Sequence, residues 1–572
     1  MPGINVDNEI SIVLSGEAGQ GIQTVEIILT HILKNSGFHV FATKEYMSRV
    51  RGGSNSTEIR VSSARVDSYT DRIDLLVALD PDITRLSGRI GKDTLVVGDA
   101  SKIGKGYNIV DTVFEKLAEP LGSAVYSNII AVGALLALFG IGTTPLEEYI
   151  RKRFGAKSED ILDKNFQAAK IGNTLGTKWR GEGTVGIGFS PRDGLADEIL
   201  VSGAEAVGLG ALAGGCNFVS SYPMSPGSSV LHVLASLSND FPLIVEQAED
   251  EIAAINMGIG AWYAGARAMV TTSGGGFALM SEGVSLAGMV ESPMVIHIGQ
   301  RPGPATGLPT RTEQGDLDLA MFAGHGDFAR AIYAPGSLAD AYSLAALAFD
   351  TADKYQIPVF ILTDQYFLDS YYNIKPFDPK TGMTEPYLEK TDEDYKRYRL
   401  TPGGISPRGI PGYGDGFVRA DSDEHDEEGR ITESAEVRRK MVEKRHARLG
   451  PLSENAIPPE LIGPSGYETL IVGWGSTRNI VRETLEKLAR PKLAFAHFKQ
   501  VCPLPPSALD ILERAKKLIL VENNAAGQFG ALLRRNHGIE FDHKILQSDG
   551  FPFSPENLAV RLEEIIGKGG GK

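Results

Sequence analysis

Phe218-Val219-Ser220-Ser221-Tyr222-Pro223-Met224-Ser225-Pro226-Gly227-Ser228-Ser229 reads as a short apolar strand, a proline-stiffened turn and the start of a helix. The two prolines fix φ and deny helical geometry to the residue before each. Ser225 and Ser228 offer hydroxyls, and the helix that follows offers free amide donors to an anionic group. The plain alternative is a strand-to-helix turn closed by a serine N-cap. The same strand, turn and helix grammar recurs downstream, with strand candidates at Leu243 to Val245, Ala268 to Thr272, Met294 to Ile298 and Val359 to Thr363. Apolar runs of this length bounded by turns are the mark of an α/β sheet.

Working outward, the N-terminal block opens with a strand at Ile10 to Leu14, the turn Gly16 to Gly21 and a helical pattern through Leu33. Further strands fall at Leu75 to Leu79 and Leu95 to Val97. This spacing predicts a doubly wound sheet that ends in the polar, glycine-rich stretch from Gly172 to Arg192. Beyond Asp369 lies a long connector rich in Pro, Gly, Tyr and charge, with one helix expected near Ala435 to Arg448. A third block follows, with strands at Thr469 to Val472, Leu493 to Phe495 and Leu518 to Val521, and a helix ending at Ala489. The tail from Gly567 to Lys572 has the composition of a frayed end. The expected organisation is therefore α/β throughout, in three α/β domains at 1–185, 193–380 and 463–572, with a connector at 381–462.

Composition narrows the function. At 572 residues the chain is long enough for several cores, and its net charge of -15 argues against nucleic acid or anionic membrane as a partner. Two cysteines, Cys216 and Cys502, exclude a disulfide framework and any cluster built from this chain's thiolates alone. They point to a reducing cytoplasm. The longest apolar run, Ile129 to Gly142, is too short and too rich in glycine to span a bilayer. No basic, apolar leader opens the chain, and a soluble protein is expected.

Chemistry concentrates in three motifs. The first is the Tyr222 to Ser229 turn. The second is Gln247-Ala248-Glu249-Asp250-Glu251, which opens a helix of small residues from Ile252 to Gly265. Acids there complement the helix dipole, and at least one of the three serves only that purpose. The third is the irregular stretch Gln300-Arg301-Pro302-Gly303-Pro304-Ala305-Thr306-Gly307-Leu308-Pro309-Thr310-Arg311-Thr312-Glu313-Gln314-Gly315-Asp316.

Together with the Thr272-Ser273-Gly274-Gly275-Gly276 turn, these motifs resemble the α subunit of 2-oxoacid:ferredoxin oxidoreductases, close to the 2-oxoglutarate members. The resemblance implies a thiamine diphosphate pyrimidine-binding domain at 193–380. It also implies a γ domain at 1–185 fused ahead of it, and a transketolase C-terminal-like domain at 463–572. By its spacing to Gly265, Glu251 matches the family glutamate that activates the cofactor's aminopyrimidine ring. Pro223, Ser273 and Gly274 are its expected neighbours in cofactor binding. Ser225 and Arg311 match the hydroxyl and arginine that hold the substrate carboxylate, and Tyr222 lines the pocket. Met224 and Ser225 stand where Ile and Thr are usual, so the hydroxyl is kept.

In the first block, Lys44-Glu45-Tyr46-Met47-Ser48-Arg49-Val50-Arg51-Gly52-Gly53 resembles a family segment that faces the active centre. Lys44 is its substrate-side cation; the alternative is a solvated basic edge. The Gly16 to Gly21 loop reads GxxGxG and does not match the dinucleotide fingerprint, so an NAD-linked reading is set aside. His297 and His325 lack metal-ligand spacing and read as structural. Gly414-Asp415-Gly416 lies in the connector with no asparagine at magnesium-motif spacing, and reads as coincidence. Glu522 to Gln528 resembles a recurring family turn, with dimer contact and coenzyme A binding both open.

The family's activity is the coenzyme A-dependent oxidative decarboxylation of a 2-oxoacid, or its reverse. Electrons pass through an iron-sulfur cluster to ferredoxin. Neither a pyrophosphate-binding domain nor a cysteine cluster is legible here, which implies a β subunit carrying Mg2+ and a [4Fe-4S] cluster, in an (αβ)2 complex. Two other readings remain at this point. A nonredox thiamine-dependent decarboxylase would turn over without an electron acceptor, and a noncatalytic assembly subunit would tolerate Glu251→Ala.

Overall fold

A computed structural model of the chain describes residues 3–17, 20–48, 53–155, 157–382 and 386–567. The chain forms two compact units, Met1–Val201 with Asp369–Pro376, and Ser202–Leu368 with Phe377–Lys572. The expected second and third blocks therefore share one unit. The first unit also extends past 185 and takes in a short segment from beyond residue 368.

The first unit is built on an eight-stranded sheet. Strands Asn108–Asp111, Leu95–Gly98, Leu75–Ala78 and Glu9–Glu17 run parallel in that order. From Glu9–Glu17 the sheet continues antiparallel through Ser54–Ser62, His39–Glu45 and Tyr371–Ile374, ending at Ile199–Ser202. The doubly wound expectation thus holds for the parallel half only. The antiparallel half escapes hydropathy because its buried strand Ser54–Ser62 carries Glu58 and Arg60. Each is neutralised in place: Arg60 Nη2 lies 2.6 Å from Glu9 Oε2, and Arg89 donates to both Glu58 oxygens at 2.5 and 2.9 Å. Buried charge is tolerated when it is paired, and such a strand does not read as an apolar run.

The glycine-rich stretch Gly172 to Arg192 is irregular only in its second part: its first residues lie inside the helix Glu159–Gly181, which packs along Ser127–Leu138, and the strand Val185–Ile187 follows. Any Cβ at Gly172 or Gly176 would overlap the carbonyl oxygens of Ile130 and Ala134, so these glycines set the helix spacing and do not break the helix. The Gly16 to Gly21 loop is a turn in which Gln20 Oε1 accepts from Glu17 N at 2.8 Å, and Asn128 Nδ2 donates to Gln20 O at 2.5 Å. Its residues 18 and 19, residues 49–52 of the Lys44 run and the tail 568–572 lie outside the described residues.

The second unit holds two sheets. The larger has the order Ile244–Gln247, Phe218–Ser221, Ala268–Thr272, Met294–Gln300, Pro358–Asp364, Ala331–Tyr333, Gln500–Cys502, all parallel except the last pair. All five strands anticipated there are present. The smaller has the order Glu460–Ile462, Leu493–Phe498, Thr469–Trp474, Lys517–Glu522, His543–Leu546. Gln500–Cys502 follows directly on a strand of the smaller sheet and adds itself to the edge of the larger one, which joins the two.

The connector is pinned by buried charge. Its expected helix is Ala435–Ala447, with Ser434 Oγ accepting from Val437 N. Asp353, fully buried, pairs with Arg408 at 2.6 Å and Arg267 at 3.0 Å. Glu291, also fully buried, pairs with Lys444 at 2.5 Å and with Arg448, while Arg397 donates to its carbonyl. Burial alone would raise the Glu291 carboxyl, yet Arg448, Lys444 and Arg397 bring it down to about 2. Gly414-Asp415-Gly416 wraps Thr391, whose carbonyl accepts from Asp415 N and whose hydroxyl accepts from Gly416 N. Among the described residues no group of three or more His, Cys, Asp or Glu side chains could hold a metal ion, and no helix is long and apolar enough to cross a membrane.

Candidate active site

The site grows from the carboxyl ends of three neighbouring parallel strands, where open α/β sheets bind ligands. Strand Phe218–Ser221 ends in the exposed Tyr222, Pro223 and Ser225. The helix Ser228–Leu237 then starts on Gly227 without a side-chain cap, so the serine N-cap alternative is not what is built; Ser229 Oγ donates to Pro226 O at 2.8 Å instead.

Of the three acids that open the next helix, Asp250 is the cap: its Oδ1 accepts from Ala253 N at 2.7 Å. Glu249 is exposed. Glu251 begins the helix Glu251–Tyr263, is only 3% exposed, and leaves Oε1 buried without a hydrogen-bond partner. That oxygen faces Gly276, where a Cβ would come within 2.5 Å of it. Ser273, after strand Ala268–Thr272, is likewise fully buried with an unpartnered hydroxyl. A Cβ at Gly274 would overlap the Asp316 carboxyl. Two carboxyl groups therefore approach the Ser273-Gly274-Gly275-Gly276 turn, each at a glycine.

Asp316 anchors its backbone by donating N–H to Gln300 Oε1 at 3.0 Å, and its Oδ2 is buried without a partner. Burial, then Glu313, push its carboxyl up to about 7 against the pull of Arg301. Arg301 follows directly on the strand Met294–Gln300 and donates from Nη1 to Ser225 O at 2.6 Å. Arg311 lies further along the loop, with its guanidinium 4.9 Å from the centre of the Phe551 ring. The arginine bonded to Ser225 is thus Arg301, a residue the motif reading passed over; its position one step past a strand end was the available signal.

Lys44 belongs to the first unit, near the end of strand His39–Glu45. Its Nζ is 3.8 Å from Glu26 Oε1, and burial pushes the Glu26 carboxyl up to about 7 against the pull of Lys44. His297 is structural: both ring nitrogens bond threonine hydroxyls, of Thr271 and Thr363, at 2.8 Å, and burial holds it down to about 3.

Two family models match. Residues 11–175 match pyruvate ferredoxin/flavodoxin oxidoreductase, and residues 209–444 match the thiamine diphosphate-binding region of pyruvate flavodoxin/ferredoxin oxidoreductase. A 2-oxoacid:ferredoxin oxidoreductase subunit alpha from Sulfolobus sp is 30% identical over 98% of this chain and 97% of its own length. The chain belongs to the 2-oxoacid:ferredoxin oxidoreductase family. Another relative, the 2-oxoglutarate oxidoreductase subunit KorA of Mycobacterium tuberculosis, is 28% identical over 96% of this chain and 92% of its own length. Among solved structures, the 2-oxoglutarate:ferredoxin oxidoreductase of Magnetococcus marinus, with 2-oxoglutarate, coenzyme A and succinyl-CoA bound, superposes with a TM-score of 0.91 at 31% identity. That match covers 98% of this chain and 100% of the other. The residues of this oxidoreductase chain fit thiamine diphosphate on their own terms: an orphan carboxylate oxygen of Glu251 and an orphan hydroxyl of Ser273 lie buried at the same strand-end turns.

Proposed function

We propose that the chain is the α subunit of a coenzyme A-dependent 2-oxoglutarate:ferredoxin oxidoreductase that shares its thiamine diphosphate with a β subunit. One observation carries this reading: Glu251 Oε1 is buried and unpartnered, packed against Gly276 at a strand-end turn where no described side chain of this chain answers it. Burying a carboxylate oxygen without a partner costs free energy, and a ring nitrogen that shares its proton relieves that cost. Thiamine diphosphate, when bound, supplies the electron sink for loss of carbon dioxide from the 2-oxoacid.

The rest of the work falls to this chain's side chains. Glu251 holds and returns the proton at the aminopyrimidine ring, between walls formed by Pro223, Ser273 and Gly274. Ser225 Oγ and the Arg301 guanidinium bind the oxoacid carboxylate beside Tyr222, since a guanidinium fork matches a carboxylate. Arg311 adds a second guanidinium on the same loop, which suits the second carboxylate of 2-oxoglutarate. Lys44 serves as the substrate-side cation of the first unit.

With two cysteines the chain cannot supply the four thiolates of a [4Fe-4S] cluster. The cluster, Mg2+ and the pyrophosphate-binding domain therefore belong to the β subunit, in an (αβ)2 complex. Coenzyme A takes the acyl group and ferredoxin the electrons, and reduced ferredoxin drives the reverse. Two free thiols support a cytoplasmic setting. The test is reduction of a viologen dye by the co-purified complex across a panel of 2-oxoacids, with and without coenzyme A. Coenzyme-dependent reduction fastest with 2-oxoglutarate is expected. No reduction by a complex with intact cofactor and cluster overturns the reading.

A further inference from the structure

The loop that carries Arg301 and Arg311 is gripped at its far end by the smaller sheet. Gln314, fully buried, spends every polar atom on that grip. Its N–H donates to Asn523 O at 2.7 Å, its Oε1 accepts from Asn523 N at 3.0 Å, and its Nε2 donates to Trp474 O at 2.9 Å. Its carbonyl accepts from Asn524 Nδ2 at 3.1 Å. Gln528 extends the grip on either side of Asp316, donating to Gly315 O at 2.8 Å and accepting from Asp318 N at 3.1 Å.

The gripping turn is itself stiffened from behind. Glu522, fully buried, accepts from Asn524 Nδ2, Gly530 N, Phe529 N and Trp474 Nε1 at 2.7 to 3.2 Å. Upstream, Thr312 Oγ1 donates to Asp364 Oδ1 at 3.0 Å, and Ser476 Oγ donates to Asp364 Oδ2. The opposite part of the loop is exposed from Gly303 to Leu308. The register of Asp316, beside Gly274, is thus set from the Asn523–Gln528 turn, and Arg301 and Ser225 share that neighbourhood.

We propose that Gln314 is a positioning residue for 2-oxoacid binding, through which the C-terminal turn Asn523–Gln528 sets the carboxylate-binding loop. The proposal rests on the assignment of that loop to substrate carboxylate. It gives the turn a role inside its own chain, whereas the motif reading left dimer contact and coenzyme A open. Removing the amide leaves the buried Asn523 N–H unpaired and the Trp474 carbonyl with Thr477 Oγ1 alone, and the loop relaxes away from its register. Displacements of about 1 Å at a binding group cost up to about 100-fold in activity.

The experiment compares wild type, Gln314→Ala and Gln528→Ala in the intact complex. It varies 2-oxoglutarate and coenzyme A separately and follows hydrogen exchange of residues 301–318. Gln314→Ala is expected to raise KM for 2-oxoglutarate about tenfold, equivalent to about 1.4 kcal/mol, with kcat and KM for coenzyme A within twofold of wild type. Gln528→Ala, at a half-buried side chain, gives a rise of about threefold. An unchanged KM with a reduced kcat, as a smaller folded fraction would give, overturns the proposal. If Gln314→Ala does not fold, the Gln528→Ala shift decides alone. If the wild-type complex reduces no dye with any oxoacid, the functional reading fails; faster exchange of 301–318 in the variants still upholds the clamp, and unchanged exchange refutes it.

Discussion

Glu251 and Glu291 are both buried glutamates of the same compact unit, and their surroundings are opposite. Glu291 has Lys444 and Arg448 on one oxygen and Arg397 on its carbonyl, and it ties the connector to the larger sheet. Glu251 has no ion-pair partner among the described residues and keeps Oε1 unbonded beside a glycine. Both leave Oε1 buried without a hydrogen-bond partner, so the contrast is one of charge: cations of its own chain neutralise Glu291, which is structural work, whereas Glu251 is left without a counter-charge, which suits a group that arrives later. Burial is the same in both places; what separates the roles is whether the chain answers the charge itself.

Four measurements bear on this difference. The largest effect belongs to Glu251→Gln: turnover in the viologen assay should fall by about 100-fold to 10,000-fold, the usual range for a proton-transferring side chain. Its thermal midpoint should stay level or rise. A fall in midpoint without loss of turnover would make Glu251 structural after all. Glu291→Ala should do the reverse, costing about 3–5 kcal/mol in denaturant unfolding because three cations are left buried without their anion. The correctly folded fraction should keep its KM for 2-oxoglutarate.

Gly276→Ala tests the space beside Glu251. An added methyl would overlap Thr272 Oγ1 and fall 2.5 Å from Glu251 Oε1 and must displace both, and about 1–3 kcal/mol of strain is expected. Thiamine diphosphate titrated against intrinsic fluorescence should bind about tenfold more weakly. Equal affinity would mean that Oε1 does not meet the cofactor. The smallest effect is the pH response of Asp316. Its carboxyl, raised to about 7, is neutral below that pH and charged above it. The negative charge that appears near Arg301 opposes a carboxylate ligand, so KM for 2-oxoglutarate should rise about threefold between roughly pH 6 and 8. Asp316→Asn should flatten the profile, and a flat wild-type profile would remove Asp316 from the binding site.

Much of the site was legible because strand ends and acid runs are local signals. Five of the six parallel strands of the larger sheet read as short runs bounded by turns, Ala331–Tyr333 being the exception, and the turns at Tyr222, Ser273 and Arg301 follow directly from where three of them stop. Even the division of labour among Glu249, Asp250 and Glu251 was partly foreseeable, since one acid had to cap the helix. The bond from Arg301 to the Ser225 carbonyl was not foreseen, because the motif drew attention to Arg311, although Arg301 stands at the strand end itself. The strand Ser54–Ser62 and the glycines at 172 and 176 were missed for a common reason. Polar and glycine residues signal surface or breakage only until a partner answers them, and here Glu9, Arg89 and the Ile130 and Ala134 carbonyls do so from far along the chain.

Local pattern was thus sufficient for the α/β class, for most strands of the parallel core and for Glu251 as the candidate at a helix start, because each depends on residues within one strand, turn and helix. Long-range packing alone decided that Gln314 is locked to Asn523, that Asp353 and Glu291 hold the connector, and that Arg301 meets Ser225. Those outcomes depend on which distant groups arrive to satisfy a buried hydrogen bond or charge, and no periodicity along the chain encodes that arrival.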